Sequence, residues 1–178
     1  MADERVMIFI DGGNFFNGIQ ELRIYFYDIE FEKFVNILVD KRKLIRTYYY
    51  TVRPTDKASK MYSTQMSFLD QLERSSYMKV RYGRLTGTPP KEKGTDVFLA
   101  IDMLNLAYKN SYDTAILVSG DGDFVEVIEI IQGMGKQVEN WAFHGRKSDN
   151  LLKVCDNFRY IDENIIKVYC KPTLPLNP

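Results

Sequence analysis

The stretch Thr114-Ala115-Ile116-Leu117-Val118-Ser119-Gly120-Asp121-Gly122-Asp123-Phe124 decides the reading of the fold. Thr114–Ser119 is nearly without polar residues, which marks a strand buried on both faces, as in a parallel sheet covered by helices. Gly120-Asp121-Gly122 turns into a helical pattern over Phe124–Gln132, which Gly133 and Gly135 terminate. Strand, tight turn and helix in immediate succession are the unit of an alternating α/β chain.

The same unit recurs on either side. Val6–Ile10 reads as a buried strand ending in the turn Asp11-Gly12-Gly13. Asp28 reads as an N-cap ahead of Phe31, Phe34, Val35 and Leu38, which keep i, i+3, i+4, i+7 spacing. Leu44–Val52 is a strand with three consecutive tyrosines. Pro54 closes it and opens a long helix carrying Met61, Gln65, Leu69 and Leu72 on one side. Met78–Leu85 is the next strand, and Thr86-Gly87-Thr88-Pro89-Pro90 is a loop. Thr95–Tyr108 is helical, with Val97, Ile101, Leu104 and Tyr108 on one stripe. Gln137–Phe143 is a strand holding a half-buried Trp141, Ser148–Val154 a short helix, and Phe158–Ile161 an edge strand. The alternation predicts a three-layer α/β/α sandwich with a mostly parallel central sheet of five to six strands. Residues 1–170 form one domain, and the three-proline tail 171–178 is expected to be flexible.

Composition narrows the function. A chain of 178 residues with 45% hydrophobic and 27% charged residues can bury one core. No run approaches the ~20 apolar residues that span a bilayer, and Met1–Arg5 is too polar for a signal peptide. Two cysteines, Cys155 and Cys170, make no disulfide framework, so a reducing, cytoplasmic setting is expected. The 24 basic and 24 acidic residues cancel, but unevenly along the chain. Lys41 to Lys93 holds 13 basic residues against four acidic ones, while Asp96 to Glu129 holds seven acidic residues against Lys109 alone. A basic shoulder beside an acidic centre suits binding and hydrolysis of a phosphate backbone. Arg53, Arg81 and Arg84 sit near the ends of their strands on the expected active side, and Lys93 stands just before Asp96. Tyr48, Tyr49, Tyr50 and Tyr82 offer either base-stacking faces or, the better reading, core packing. Lys41-Arg42-Lys43 reads as a solvated helix C-terminus.

In parallel sheets ligands bind beyond the carboxyl ends of the strands, where strand order reverses. Asp11 there follows the first strand, and Asp121 and Asp123 follow Leu117-Val118-Ser119. Adjacent strands would converge these carboxylates, and close like charges call for a proton or a hard divalent cation. Mg2+ or Mn2+ suits oxygen-only ligation, whereas a lone His144 and two late cysteines disfavour zinc. Lys93-Gly94-Thr95-Asp96 brings a further carboxylate to the same sheet edge at a helix start. Asp102 lies about 120° around that helix from Asp96, so one site is not expected to hold both, and Asp96 is preferred. Each aspartate also has a local explanation as turn residue or N-cap. Asn14 would orient Asp11 or cap the next helix; Ser119 would hold a carboxylate, a phosphate oxygen or the backbone.

These residues resemble a known family. Ile8-Phe9-Ile10-Asp11-Gly12-Gly13-Asn14, Lys93-Gly94-Thr95-Asp96-Val97 and Ser119-Gly120-Asp121-Gly122-Asp123-Phe124 are similar to the three signatures of NYN domains, the LabA/DUF88 branch of the PIN-like nuclease superfamily. Ser148-x-x-Leu151 with Asp156-x-Phe158 resembles the C-terminal element, so the likeness spans Val6 to Ile161. The resemblance implies a Rossmann-like PIN-type fold and a metal-dependent ribonuclease. Asp11, Asp96, Asp121 and Asp123 would be its acidic Mg2+- or Mn2+-binding set, with Asn14 and Ser119 as polar supports. The expected partner is RNA, single-stranded, with no membrane; a homodimer or a partner protein would complete the groove. Two alternatives are a non-catalytic RNA-binding or regulatory module and a small-molecule phosphohydrolase with Asp11 as nucleophile. Gly13, where a second Asp would stand, counts against the latter. Asp-Gly-Gly-Asn-Phe-Phe also lacks dinucleotide-binding glycine spacing.

Overall fold

The computed structural model of the chain describes residues 4–24, 29–59, 61–87 and 91–168. Asp28 and the tail 171–178, read above as an N-cap and a flexible segment, lie outside them. Six strands form one parallel sheet: β1 (Arg5–Asp11), β2 (Lys43–Thr51), β3 (Met78–Tyr82), β6 (Thr114–Val118), β7 (Gln137–Phe143) and β8 (Asn157–Ile161). Their order is β3-β2-β1-β6-β7-β8. The chain starts in the middle, winds outward to β3, then returns to β6 and winds the other way. Strand order therefore reverses between β1 and β6, which pair in parallel from Val6 opposite Thr114 to Ile10 opposite Val118.

Helices cover both faces. On one lie α1 (Gly12–Glu21), α2 (Phe31–Val39) and α3 (Tyr62–Arg74), whose Phe15, Ile19, Phe34, Leu38 and Leu72 meet Ile8 and Ile10 of β1. The other carries α4 (Thr95–Tyr108), α5 (Val125–Gly133) and α6 (Asp149–Val154), where Leu99, Met103, Ile128 and Leu151 close on Phe9 and Leu117. Alternate residues of β1 thus feed two separate cores, as a strand buried on both faces requires. A final helix, α7 (Glu163–Val168), adds Ile166 to the first core.

The structure departs from the sequence reading at several points. The strand expected over Met78–Leu85 breaks at Gly83. A Cβ there would come within 2.7 Å of Thr95 Cγ2 and 2.9 Å of the Lys93 carbonyl oxygen. Beyond the break, β4 (Arg84–Thr86) leaves the main sheet and pairs antiparallel with β5 (Lys91–Lys93). The helix expected to open at Pro54 begins at Tyr62, and Met61 is exposed outside it. Trp141 is buried and not half-buried, because its strand lies inside the sheet between β6 and β8 and its side chain joins the first core. Arg42 is not simply solvated: it donates to the Leu38 and Val39 carbonyls at the end of α2 and pairs with Glu139 at 2.8 Å. The largest departure concerns α4. Of the expected stripe, Val97, Ile101 and Tyr108 are exposed and Leu104 is half-buried against the second core, and the helix packs chiefly through Thr95, Leu99, Met103 and Ala107.

The start of β1 is clamped to the turn before β6. Arg5 donates from Nη2 to Asp113 Oδ1 at 2.6 Å and from Nε to Oδ2 at 3.1 Å, while its backbone N–H also reaches Oδ2. These donors hold the Asp113 carboxyl at about 2, below its ordinary value. A depressed folded pKa stabilises above the unfolded value and is lost as pH falls through the folded one. Asp113→Asn should therefore lower the melting temperature at neutral pH by an amount corresponding to about 1 kcal/mol or less, since the pair is half-exposed. The gap to wild type should close between about pH 4 and pH 2, which thermal melts across that range would read.

Candidate active site

Where β1 and β6 end side by side, the chain makes two turns that present carboxylates. Asp11 is the last residue of β1 and the N-cap of α1; its Oδ1 accepts the Asn14 backbone N–H at 3.0 Å. Gly12 allows that abrupt start, because a Cβ would stand 2.5 Å from the Tyr50 carbonyl oxygen. Asp121 repeats the device after β6. It caps a single 3-10 turn, Gly122–Phe124, by accepting the Asp123 N–H at 3.0 Å. Ser119, buried between them, joins the two turns: its Oγ donates to Asp11 Oδ2 at 2.9 Å and accepts the Asp121 N–H at 3.1 Å. Asn140 of β7, also buried, donates to the Leu117 and Ser119 carbonyls and fixes the strand end on which Ser119 sits. Gly120 is obligatory here, since a Cβ would lie 1.5 Å from the Arg146 carbonyl oxygen.

The third carboxylate arrives on α4. Gly94, with φ +88°, turns the chain from β5 into the helix, and Asp96 in its first turn faces the same cleft. Asp11, Asn14, Asn17, Thr95, Asp96, Asp121 and Arg146 line this opening of about 240 Å3. Burial first, and then the charges of Asp121 and Asp123, push the Asp96 carboxyl above its ordinary value. Asp123 stands exposed at the rim, outside the lining but near enough for its charge to be felt at Asp96. Asp102 is turned elsewhere: it accepts from the Tyr50 hydroxyl at 3.0 Å and pairs with Arg81 Nε at 3.2 Å.

A sequence model of the NYN domain family matches residues 5–162. The chain belongs to the NYN domain family. It is 27% identical over 172 residues to the low amplitude and bright protein LabA of Synechococcus elongatus, covering 95% of this chain and 89% of LabA. Its fold is shared with a solved Vibrio parahaemolyticus protein of unknown function, at a TM-score of 0.72 and 24% identity over 91% of this chain and 95% of that one.

The NYN fold thus gathers Asp11, Asp96 and Asp121 around one cleft, with Asp123 at its edge and Ser119 beneath. Asn14 does not cap α1, a task Asp11 performs, and its side chain lines the cleft. The four basic residues singled out from sequence stay outside that lining. Arg81 is held by Asp102 and lies over the Phe98 ring; Arg53 is paired with Glu73 at 3.2 Å and lies 4.3 Å from the Tyr82 ring centroid. Arg84 and Lys93 are exposed and face each other across the β4–β5 hairpin. Tyr48, Tyr49 and Tyr50 are packed in the two cores and offer no stacking face. The cation that does line the cleft is Arg146, anchored to Glu21 at 2.8 Å. A second cavity of about 260 Å3 adjoins the first, shares Asn17 with it, and is walled mainly by Gly12, Phe16, Tyr49, Gln65, Phe68 and Leu85, with Arg53, one of the basic residues singled out from sequence, also in its lining.

Apart from the Arg146 guanidinium, the polar side chains lining the cleft are carboxylates, amides and a hydroxyl, whose oxygens are the ligands Mg2+ and Mn2+ take. Among the described residues no three carboxylate, imidazole or thiol groups stand close enough to hold one ion directly. Mg2+ usually keeps several waters and uses one or two carboxylates, so the donor set fits an ion reached partly through water.

Asp96 yields a stability test. Its folded pKa lies above the unfolded value, so the folded chain holds this proton better and its contribution to stability falls as pH rises through the folded pKa. In the presence of chelator, Asp96→Asn should raise the melting temperature near neutral pH, with the advantage shrinking toward pH 4. A lower melting temperature for the variant would show that Asp96 is not held against repulsion.

Proposed function

We propose that this chain is a divalent-metal-dependent ribonuclease acting on single-stranded RNA. The observation that carries the reading is the convergence of Asp11, Asp96 and Asp121 from β1, α4 and the turn after β6 at the point where strand order reverses. Aspartates kept only as caps would not need to share one cleft, and Asp96 is held there against repulsion. Asp11, Asp96 and Asp121, with Asp123 at the rim, would hold Mg2+ or Mn2+. Bound there, the ion supplies charge neutralisation for a phosphodiester and a more acidic water.

The chain's own groups do the remainder. Ser119 fixes Asp11 and the Asp121 turn relative to each other, so the carboxylates need little reorganisation. Asn14 and Asn17 offer amide groups to substrate oxygens, and Arg146 offers positive charge opposite the aspartates. Arg84 and Lys93 sit directly opposite on the hairpin, an arrangement that costs stability without an anion between or above them. A phosphate backbone leading into the cleft would relieve it.

The adjoining cavity supports the preference for unpaired RNA. Its apolar walls and the amides of Asn17 and Gln65 suit a single splayed-out nucleobase, which a duplex would not present.

Asp121→Asn should abolish both Mn2+ binding, read by calorimetry, and cleavage of a labelled single-stranded RNA, with the fold intact by circular dichroism. Full activity in this variant would sink the assignment. Metal binding without cleavage in the wild type would favour a non-catalytic RNA-binding module. Gln65→Trp, which fills the second cavity, should raise KM for RNA roughly tenfold, about 1.4 kcal/mol, with Mn2+ affinity unchanged. An unchanged KM would remove the base from that cavity.

A further inference from the structure

His144 follows β7 directly and opens a 3-10 turn, His144–Arg146. Its imidazole lies flat on the ring of Tyr160, with centroids 3.9 Å apart and planes 5° from parallel. Phe158 meets Tyr160 edge to face at 5.2 Å. Other near-parallel ring pairs, Phe9–Tyr48 and Tyr48–Tyr50, stand 5.7 and 6.1 Å apart inside the second core. His144, by contrast, is exposed. Tyr160 covers one face of its ring, so the exposure belongs to the other face and the edge.

This pair stands on the same sheet edge as the carboxylates. Phe143 and Ile161 form the last rung between β7 and β8, so Tyr160 and His144 lie at the carboxyl end. β8 is two strands from β6, which at ~4.8 Å per strand is roughly 10 Å. The segment after His144 closes that gap. Arg146 lines the cleft, with its carbonyl oxygen against Gly120 and its guanidinium held by Glu21. The Cα atoms of His144 and Arg146, two virtual bonds apart, are separated by at most about 7.6 Å. Lys147 pairs with Asp149 at 2.9 Å, but both are well exposed, and such a pair is worth little against a competing phosphate. A flat ring and two cations thus leave the cleft together on the β8 side.

We propose that His144, backed by Tyr160, is a stacking platform for a base of the RNA strand, adjoining the nucleotide at the carboxylates. The inference rests on the ribonuclease reading and adds a second base contact, on the flank opposite the apolar cavity. Unpaired bases stack on aromatic faces, histidine included, while the backbone follows neighbouring cations. Tyr160 holds the imidazole flat before the base arrives, so little side-chain freedom is lost on binding. A histidine that served only to close the turn would need neither an open face nor cations in line with it.

Fluorescence anisotropy in chelator, on the Asp121→Asn chain so that nothing is cut, separates the two roles. The probes are a labelled oligouridylate and a ribose-phosphate chain of the same length without bases. His144→Ala should raise Kd for the oligouridylate roughly tenfold and leave the abasic chain unchanged, and His144→Trp should restore or tighten binding of the oligouridylate. Should His144→Ala perturb the circular dichroism spectrum, His144→Leu replaces it, filling the space without a π-face. Equal losses for the two probes would overturn the proposal and leave the stack as a support for the turn that carries Arg146. An unchanged Kd for the oligouridylate overturns it as well, even where the wild type cleaves RNA. Base-dependent binding through His144 in a chain whose wild type never cleaves upholds the platform and counts against the ribonuclease reading alone.

Discussion

The hydrogen bond from Ser119 Oγ to Asp11 Oδ2 is the point on which the site depends. It exists because β1 and β6 are neighbours in register, Ile10 opposite Val118, so the residue after each strand meets its counterpart. Asp11 and Asp121 are each employed as a cap, which fixes their direction before any ligand is present. Capping and ligation are compatible because a carboxylate has about four acceptor positions. For Asp11 and Asp121 the turn explanation and the proposed chemical one therefore do not compete: the cap would be the means of aim.

That the carboxylates were legible follows from where they lie. Strand ends are fixed by the loss of the apolar run, and a doubly wound sheet presents those ends on one edge. Asp11 and Asp121 needed nothing more. Arg146, just after Gln137–Phe143, was legible as a residue at the same sheet edge, whereas Asn17 and Asn140 were not, because their positions depend on three-dimensional register. Asn140 matters through the β6–β7 pairing, Asn17 through the turn of α1, and Arg146 through the close approach of its backbone to Gly120. One trace did exist for Asn140: a lone amide inside a strand buried on both faces needs a partner. Arg53 and Arg81 lie outside the carboxylate cleft, although Arg53 does line the adjoining cavity, because position along a strand says nothing about which anion reaches them first. Glu73 and Asp102 do, from α3 and α4.

The misreading of α4 has a different cause. Its residues are apolar nearly all the way round, so two stripes, Val97-Ile101-Leu104-Tyr108 and Leu99-Met103-Ala107, satisfy helical spacing equally well. Periodicity cannot choose between them. The choice lies in the rotation of the helix, which buries Leu99, Met103 and Ala107 against the second core. That same rotation brings Asp96 to the cleft and Asp102 to Tyr50 and Arg81.

Charge distribution follows the same economy. The acidic segment supplies Asp96 and Asp121 to the cleft, but the described basic residues between Lys41 and Lys93 are scattered over the turn before β2, β2, the loop after it, α3, β3 and the hairpin, and Arg42, Arg53 and Arg81 are committed to internal partners. A neutral chain of this kind lacks the broad positive field of a high-affinity polyanion binder. Selectivity must then come from short-range groups near the carboxylates: Arg146 within the cleft, Arg84 and Lys93 on the hairpin, and the apolar cavity sharing Asn17. For the proposed ribonuclease, weak capture joined to a preorganised acidic centre is the balance expected of an enzyme that must release what it cuts, because tight uniform binding lowers KM without raising kcat.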